Sequence, residues 1–213
     1  LWRDRDSLGF EDRDDVIVPQ QVLRSLNERL LGRDAIVATD VGQHQMWAAQ
    51  YYKCDTPNHW ITSGGLGTMG FGVPAALGAA IGRPDAEVWA IVGDGGVQMT
   101  LFEFATIVQE QANVNIAIIN NGYLGMVRQW QQLFHDRNYS ETFLSQPDFQ
   151  MLATSYGIAA RTVTSREEVD DAITWARSVA GPTLINFVVE QEMNVYPMIP
   201  SGGSFGELIE EGE

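Results

Sequence analysis

Apolar positions along the chain alternate between two patterns. Val22, Leu23, Leu26, Leu30 and Leu31 recur at helical spacing, and Ala35-Ile36-Val37-Ala38 follows as a short unbroken strand. Ala75 to Ile81 is small and apolar and predicts a helix that can approach a sheet closely. Val88 to Val92 predicts the next strand, Leu101 to Gln111 a helix, and Val114 to Ile119 a strand. Leu124 to Phe134 and Phe149 to Tyr156 read as helices, Ile158 to Val163 as a strand, Arg166 to Val179 as a helix, and Thr183 to Val189 as a last strand. Continuous apolar strands separated by helices are the pattern of a mainly parallel sheet covered on both faces. Right-handed crossovers then give a doubly wound α/β domain. We expect one domain over 16–190, a preceding segment over 1–15 and a tail over 191–213. The tail has no clear period and contains Pro197, Pro200, Gly202, Gly203 and Gly206, which reads as a loop or lid.

Composition narrows the function. The 213 residues carry 13 basic and 28 acidic side chains, a net charge of −15. That balance argues against nucleic-acid binding through a broad basic surface. The acid concentrates in Glu11-Asp12-Arg13-Asp14-Asp15 and in Glu207 to Glu213, which read as solvated ends. No apolar run approaches the roughly 20 residues of a membrane-spanning helix. The opening Leu1-Trp2-Arg3-Asp4-Arg5-Asp6 is unlike a signal peptide. The chain starts without methionine, as a processed chain or a piece of a longer one does. One cysteine, Cys54, excludes an internal disulfide or a cysteine-built zinc site.

Candidate chemistry gathers where such a fold binds ligands, beyond the carboxyl ends of its strands. The first strand runs into Thr39-Asp40-Val41-Gly42-Gln43-His44, the next into Gly93-Asp94-Gly95-Gly96, and the third into Asn120-Asn121-Gly122-Tyr123. A glycine-rich loop, Ser63 to Gly72, precedes the second of these. A carboxylate at a strand end, flanked by glycines and leading into a helix, can hold a hard cation while free N–H groups receive a phosphate. Taken alone, Gly-Asp-Gly reads equally well as a turn. Asn120-Asn121 follows Gly95 after 24 residues, so one β-α-β unit can set Asp94 beside Asn121. An amide oxygen there, and the carbonyl of Tyr123, could complete a cation site. Asn-Asn-Gly alone is a turn signal; its coincidence with the acidic strand end favours the joint reading.

Gly93-Asp94-Gly95, 24 residues and Asn120-Asn121 resemble the cofactor motif of the thiamine diphosphate-dependent enzymes. Three longer segments, Gly64 to Gly70, Gly122 to Gln131 and Pro197 to Gly203, are similar to those of the acetolactate synthase (acetohydroxyacid synthase) family, catalytic subunit. The resemblance covers nearly the whole chain. It implies the carboxyl-terminal, diphosphate-binding domain of an enzyme that decarboxylates pyruvate and joins the two-carbon unit to pyruvate or 2-ketobutyrate, in branched-chain amino acid biosynthesis. It implies that Asp94, Asn121 and the Tyr123 carbonyl ligate Mg²⁺, and that Gly95 and Gly96 offer amides to the diphosphate. Gln43 and His44, on the first strand's exit loop, would contact the terminal phosphate. Gly67, Thr68 and Met69 would hold the aminopyrimidine, and Met126, just after Gly125, would wedge under the cofactor. Met126, Trp130 and Ser201 would line the 2-keto acid pocket. In that family the activating glutamate and an FAD-binding middle domain lie upstream, so we expect no catalytic residue here and an inactive isolated chain; Glu103 receives a structural role. A homodimer or tetramer, an optional small regulatory subunit, and a cytoplasmic or plastid location are further implications.

Two alternatives remain. Another thiamine diphosphate-dependent decarboxylase, oxidase or carboligase would share the diphosphate motif but should lack the Gly125 to Trp130 run. A non-catalytic assembly module would expose an aromatic face, for which Trp47, Tyr51, Tyr52 and Trp60 are candidates; they serve equally well as core aromatics.

Overall fold

The computed structural model describes residue 10 and residues 13–210. The expected segment 1–15 and tail 191–213 therefore lie partly outside the described residues. The elements run α1 (Pro19–Leu30), β1 (Ala35–Thr39), α2 (Gln43–Tyr51), β2 (Trp60–Thr62), α3 (Gly72–Gly82), β3 (Glu87–Gly93), α4 (Asp94–Gln98), α5 (Glu103–Gln109), β4 (Val114–Asn120), α6 (Gly125–Phe134), α7 (Phe149–Ser155), β5 (Ala159–Val163), α8 (Val169–Ser178) and β6 (Thr183–Val188).

All six strands join one parallel sheet in the order β2-β1-β3-β4-β6-β5. Side chains alternate along each strand, so two cores form. Val37, Trp89, Ile91, Ile119 and Phe187 face α1, α2 and α8. Ile36, Ala90, Val92, Ile116 and Ile118 face α3, α5 and α7. Each large side chain so enclosed stabilises the fold by about 1.5–3 kcal/mol. Two buried polar pairs tie β4 to β6: Thr183 donates to Asn115 at 2.7 Å, and Asn120 donates to Asn186 at 3.1 Å.

The doubly wound α/β class holds, and the structure adds elements the hydrophobic pattern does not reveal. Gln43 and His44 open helix α2 rather than lying on an exit loop. That helix mixes Gln, His, Trp and Tyr without an apolar stripe or a capping side chain, so its local signal is weak. Strand β2 has only three residues, all half-buried. The helix expected over 101–111 shortens to α5, preceded by the separate turn of α4. Trp47 and Tyr51 are buried in the core, and Tyr52 stacks on Trp60 at 6.0 Å against it. Trp47 and Tyr51 are thus core residues, and Tyr52 and Trp60 are half-buried against that core.

Candidate functional site

From β1 the chain forms β2 on one side and then β3 on the other. This reversal leaves a crevice beyond the carboxyl ends of β1 and β3, where ligands bind in open α/β sheets. The crevice is a partly open cleft. Gly42, then Gln43, His44 and Trp47 of α2, line it together with Gly93, Asp94, Gly95 and Gly96. Asn121, Tyr123, Gly125, Met126 and Met69 complete the lining.

Registry explains why these residues meet. Gly93 pairs with Ile119, so Asp94 and the Asn120-Asn121 turn leave the sheet side by side. Asp94 is 1% exposed. Its Oδ2 accepts a hydrogen bond from Gln146 Nε2 at 2.7 Å. Burial pushes this carboxyl up to about 6, although Gln146 and the backbone N–H groups of Asn121 and Gly122 favour its charged form. The two asparagines divide their work. Asn120 bonds to Asn186 and to the Gly122 N–H, inside the sheet. Asn121 lines the cleft; its Nδ2 donates to Gln43 Oε1 at 3.0 Å and its Oδ1 accepts from the Tyr123 N–H at 3.2 Å. At Gly125 a Cβ would stand 2.6 Å from Asn121 Nδ2, so only glycine lets α6 start this close to the amide.

His44 is buried and lines the cleft, and its Nε2 has no hydrogen-bond partner among the described residues. Trp47 Nε1, one turn further along α2, is also buried without a partner. Burial pushes the imidazole down to about 3, against the Asp40 carbonyl that accepts from the ring. Asp40 itself has no exposed surface. It accepts from the N–H groups of Val41 at 2.7 Å and Gly70 at 2.9 Å, and burial raises its affinity for a proton. A Cβ on Gly96 would stand 2.5 Å from its Oδ2. Asp40 thus fastens the end of the glycine-rich loop and packs closely against the α4 turn.

Among the described residues, no group of three or more His, Cys, Asp or Glu side chains gathers as a metal cluster. The donors that do meet are one carboxylate, one amide and the turn carrying the Tyr123 carbonyl. Hard oxygen donors of low total charge suit Mg²⁺, which keeps room for phosphate oxygens. Beside them the Trp47 Nε1–H is a buried donor with no partner among the described residues, and His44 Nε2 becomes a second donor when an anion draws a proton onto the ring. The residues present therefore fit a metal–diphosphate group.

Not every expected residue reaches the cleft. Gly67 and Thr68 are exposed on the turn that Ser63 holds, and only Met69 of that trio faces inward. Trp130 lies one turn beyond Met126, half-buried against Phe134 at 4.8 Å, and lines a neighbouring open depression with Val127 and His135. Ser201 is exposed in a turn of the tail. Glu103 opens α5 and does not line the cleft. Asp40 lies within the Thr39 to His44 run and Gln129 within the Gly122 to Gln131 segment, but neither draws a role from the sequence, and Gln146 is not singled out there; the partners of the two glutamines lie more than 50 residues away.

The fold and cleft define a cofactor-binding domain of the thiamine diphosphate class. The family model "Thiamine pyrophosphate enzyme, C-terminal TPP binding domain" matches residues 40–187, and the chain belongs to that family. Its relatives narrow the class. It is 45% identical to tobacco (Nicotiana tabacum) acetolactate synthase 1, chloroplastic, over 97% of this chain and 32% of the relative. It is 48% identical to the acetolactate synthase large subunit of Corynebacterium glutamicum, over 94% of this chain and 33% of the relative. It is 43% identical to the acetolactate synthase isozyme 2 large subunit of Escherichia coli, over 98% of this chain and 38% of the relative. The chain thus spans about a third of the length of the curated relatives it matches. No helix among the described residues is long and apolar enough to cross a membrane.

Proposed function

We propose that this chain is the diphosphate-binding domain of an acetolactate synthase large subunit. The reaction is decarboxylation of pyruvate and transfer of the two-carbon unit to pyruvate or 2-ketobutyrate. The observation that carries this reading is the junction of Asp94 with Asn121 beside the sheet's switch point, in a cleft that His44 also lines. Asp94 Oδ, Asn121 Oδ1 and the Tyr123 carbonyl hold Mg²⁺. The amides of Gly95 and Gly96 take the diphosphate, and His44 contacts its terminal phosphate through an Nε2 that is protonated when the anion is bound. Gln43 already bonds to Asn121, Gln129 and the Met193 carbonyl, so its part is chiefly to orient Asn121. Met126 sits on the first turn of α6, inside the cleft, where it props the cofactor. Gly67, Thr68 and Met69 border the aminopyrimidine, and Trp130 with Ser201 borders the acceptor channel. When bound, thiamine diphosphate supplies the carbon nucleophile that a 2-keto acid needs in order to lose carbon dioxide. This chain's residues bind the diphosphate, orient it and shield its pocket from water. The activating glutamate, an FAD-binding domain and, where present, a regulatory subunit lie outside this chain.

Product analysis of the complete protein tests the proposal. With thiamine diphosphate, Mg²⁺ and pyruvate it should form acetolactate, and Asp94→Ala should lower the rate at least about 100-fold. Acetaldehyde or an oxidised two-carbon product in place of acetolactate would move the chain to another branch of the family. In the same assay, Trp130→Leu should change the ratio of products from 2-ketobutyrate and pyruvate, within the roughly 10–200-fold range that apolar contacts discriminate. An unchanged ratio removes Trp130 from the acceptor channel.

A further inference from the structure

We infer that Gln129 and Gln43 form a polarity relay, anchored on the C-terminal segment, that turns the oxygen of Asn121 toward the cation site. The inference rests on the reading of Asn121 as a metal ligand. An asparagine side chain can present either its oxygen or its NH₂ group at nearly the same place, and only the oxygen can ligate a cation. Something must therefore fix which atom faces the cleft.

The backbone does so through two glutamines. Gln129, on α6, has no exposed surface. Its Oε1 accepts from the Val195 N–H at 2.9 Å, and its Nε2 donates to the Val195 carbonyl at 3.0 Å and to Met198 Sδ at 3.1 Å. A backbone N–H and C=O cannot exchange roles, so the Gln129 amide has one allowed orientation. Inverting it would set donor against donor and acceptor against acceptor, with buried groups left unpaired. With that orientation fixed, Oε1 of Gln129 faces Gln43 and requires a donor. Gln43 Nε2 supplies it at 2.9 Å, and donates also to the Met193 carbonyl at 3.0 Å, a second backbone marker. Gln43 Oε1 is then left to face Asn121, which must offer Nδ2; it does so at 3.0 Å. Asn121 Oδ1 consequently turns the other way, to the side of the Tyr123 N–H. Gln43 and Gln129 are positioning residues in this chain of bonds. The segment 193–198 thus sets a metal ligand more than 70 residues upstream in sequence.

Mg²⁺ affinity of the complete protein, measured by calorimetry at saturating thiamine diphosphate, tests the relay. Gln129→Met keeps the volume and removes the polarity; it should weaken Mg²⁺ binding about 10–100-fold, the usual cost of losing an outer partner of a metal ligand. The turnover rate at saturating Mg²⁺ should stay within about twofold of wild type, which general structural damage would not allow. Gln129→Glu, buried as the neutral acid, still accepts from Gln43 and donates to Val195, and should restore affinity to within about threefold. Gln129→Asn, one methylene short of Gln43, should show the same loss as Gln129→Met and replaces it if that variant does not fold. Equal affinities for wild type, Gln129→Met and Gln129→Asn would overturn the relay, as would an equal loss in Gln129→Met and Gln129→Glu. Asn121→Ala separates the two levels of the argument. If it leaves Mg²⁺ affinity unchanged, the metal assignment itself fails; if it weakens binding while the Gln129 variants do not, only the relay fails.

Discussion

Asp94 and His44 are both buried in the lining of the cleft, and burial moves them in opposite directions. Each is pushed toward its neutral form, the carboxyl upward and the imidazole downward. For His44 the consequence is a stability that depends on pH. Its ordinary value is 6.5 and its folded value about 3. Above 6.5 the ring is neutral in both states and contributes no slope. Between 6.5 and 3 only the unfolded chain takes up the proton, so the fold loses about 1.4 kcal/mol per pH unit. At pH 5, His44→Gln should therefore recover about 2 kcal/mol relative to its effect at pH 8, read by denaturant unfolding without cofactor. Parallel pH profiles for the two proteins would show that His44 is solvated. Asp40 makes a second prediction at this scale. Asp40→Ala orphans the Val41 and Gly70 N–H groups, which should cost about 2–4 kcal/mol and expose loop 63–70 to protease. Unchanged stability and unchanged cleavage would remove its bracing role.

Among the elements, α6 and the segment that follows it act as a clasp over the site. The Leu124 N–H donates to the Thr142 carbonyl at 2.8 Å, and the Leu144 N–H to the Gly122 carbonyl at 2.9 Å. Arg128 braces this arrangement. Its side chain is 6% exposed, pairs with Glu192 at 2.7 Å, and lies over the rings of Tyr123 and Tyr139 at 5.2 and 4.6 Å. Arg128→Met keeps most of the volume but loses the pair and both ring contacts. It should cost about 1–3 kcal/mol and accelerate proteolysis between 135 and 146. Unchanged cleavage would place the brace elsewhere. The hydrophobic pattern revealed most elements because the central strands are buried on both faces and so read as unbroken apolar runs. It missed α2 and β2, whose residues are held by contacts from other parts of the chain. Tyr52, for example, stacks on Trp60 across the loop between them. Asp94 and Asn121 were legible because one crossover of fixed length separates them. Gln129 was not, because its partners lie 86 and 66 residues away. Nor was Gln146, which meets Asp94 across 52 residues.

At the scale of the whole molecule, the parallel sheet does one thing for the site: it brings the ends of β1, β3 and β4 to one edge. Each turn there contributes a different donor type, and the helices behind them fix where those donors point. The role proposed for this edge is to bind thiamine diphosphate through Mg²⁺ on Asp94 and Asn121. Calorimetric titration of the complete protein with thiamine diphosphate, with and without Mg²⁺, tests it most directly when repeated on Asp94→Ala. Binding that Mg²⁺ tightens at least about 10-fold in the wild type, and that it no longer tightens in the variant, is the predicted result. Equal affinity for the cofactor in both proteins, whether or not Mg²⁺ is present, would contradict the assignment of the site.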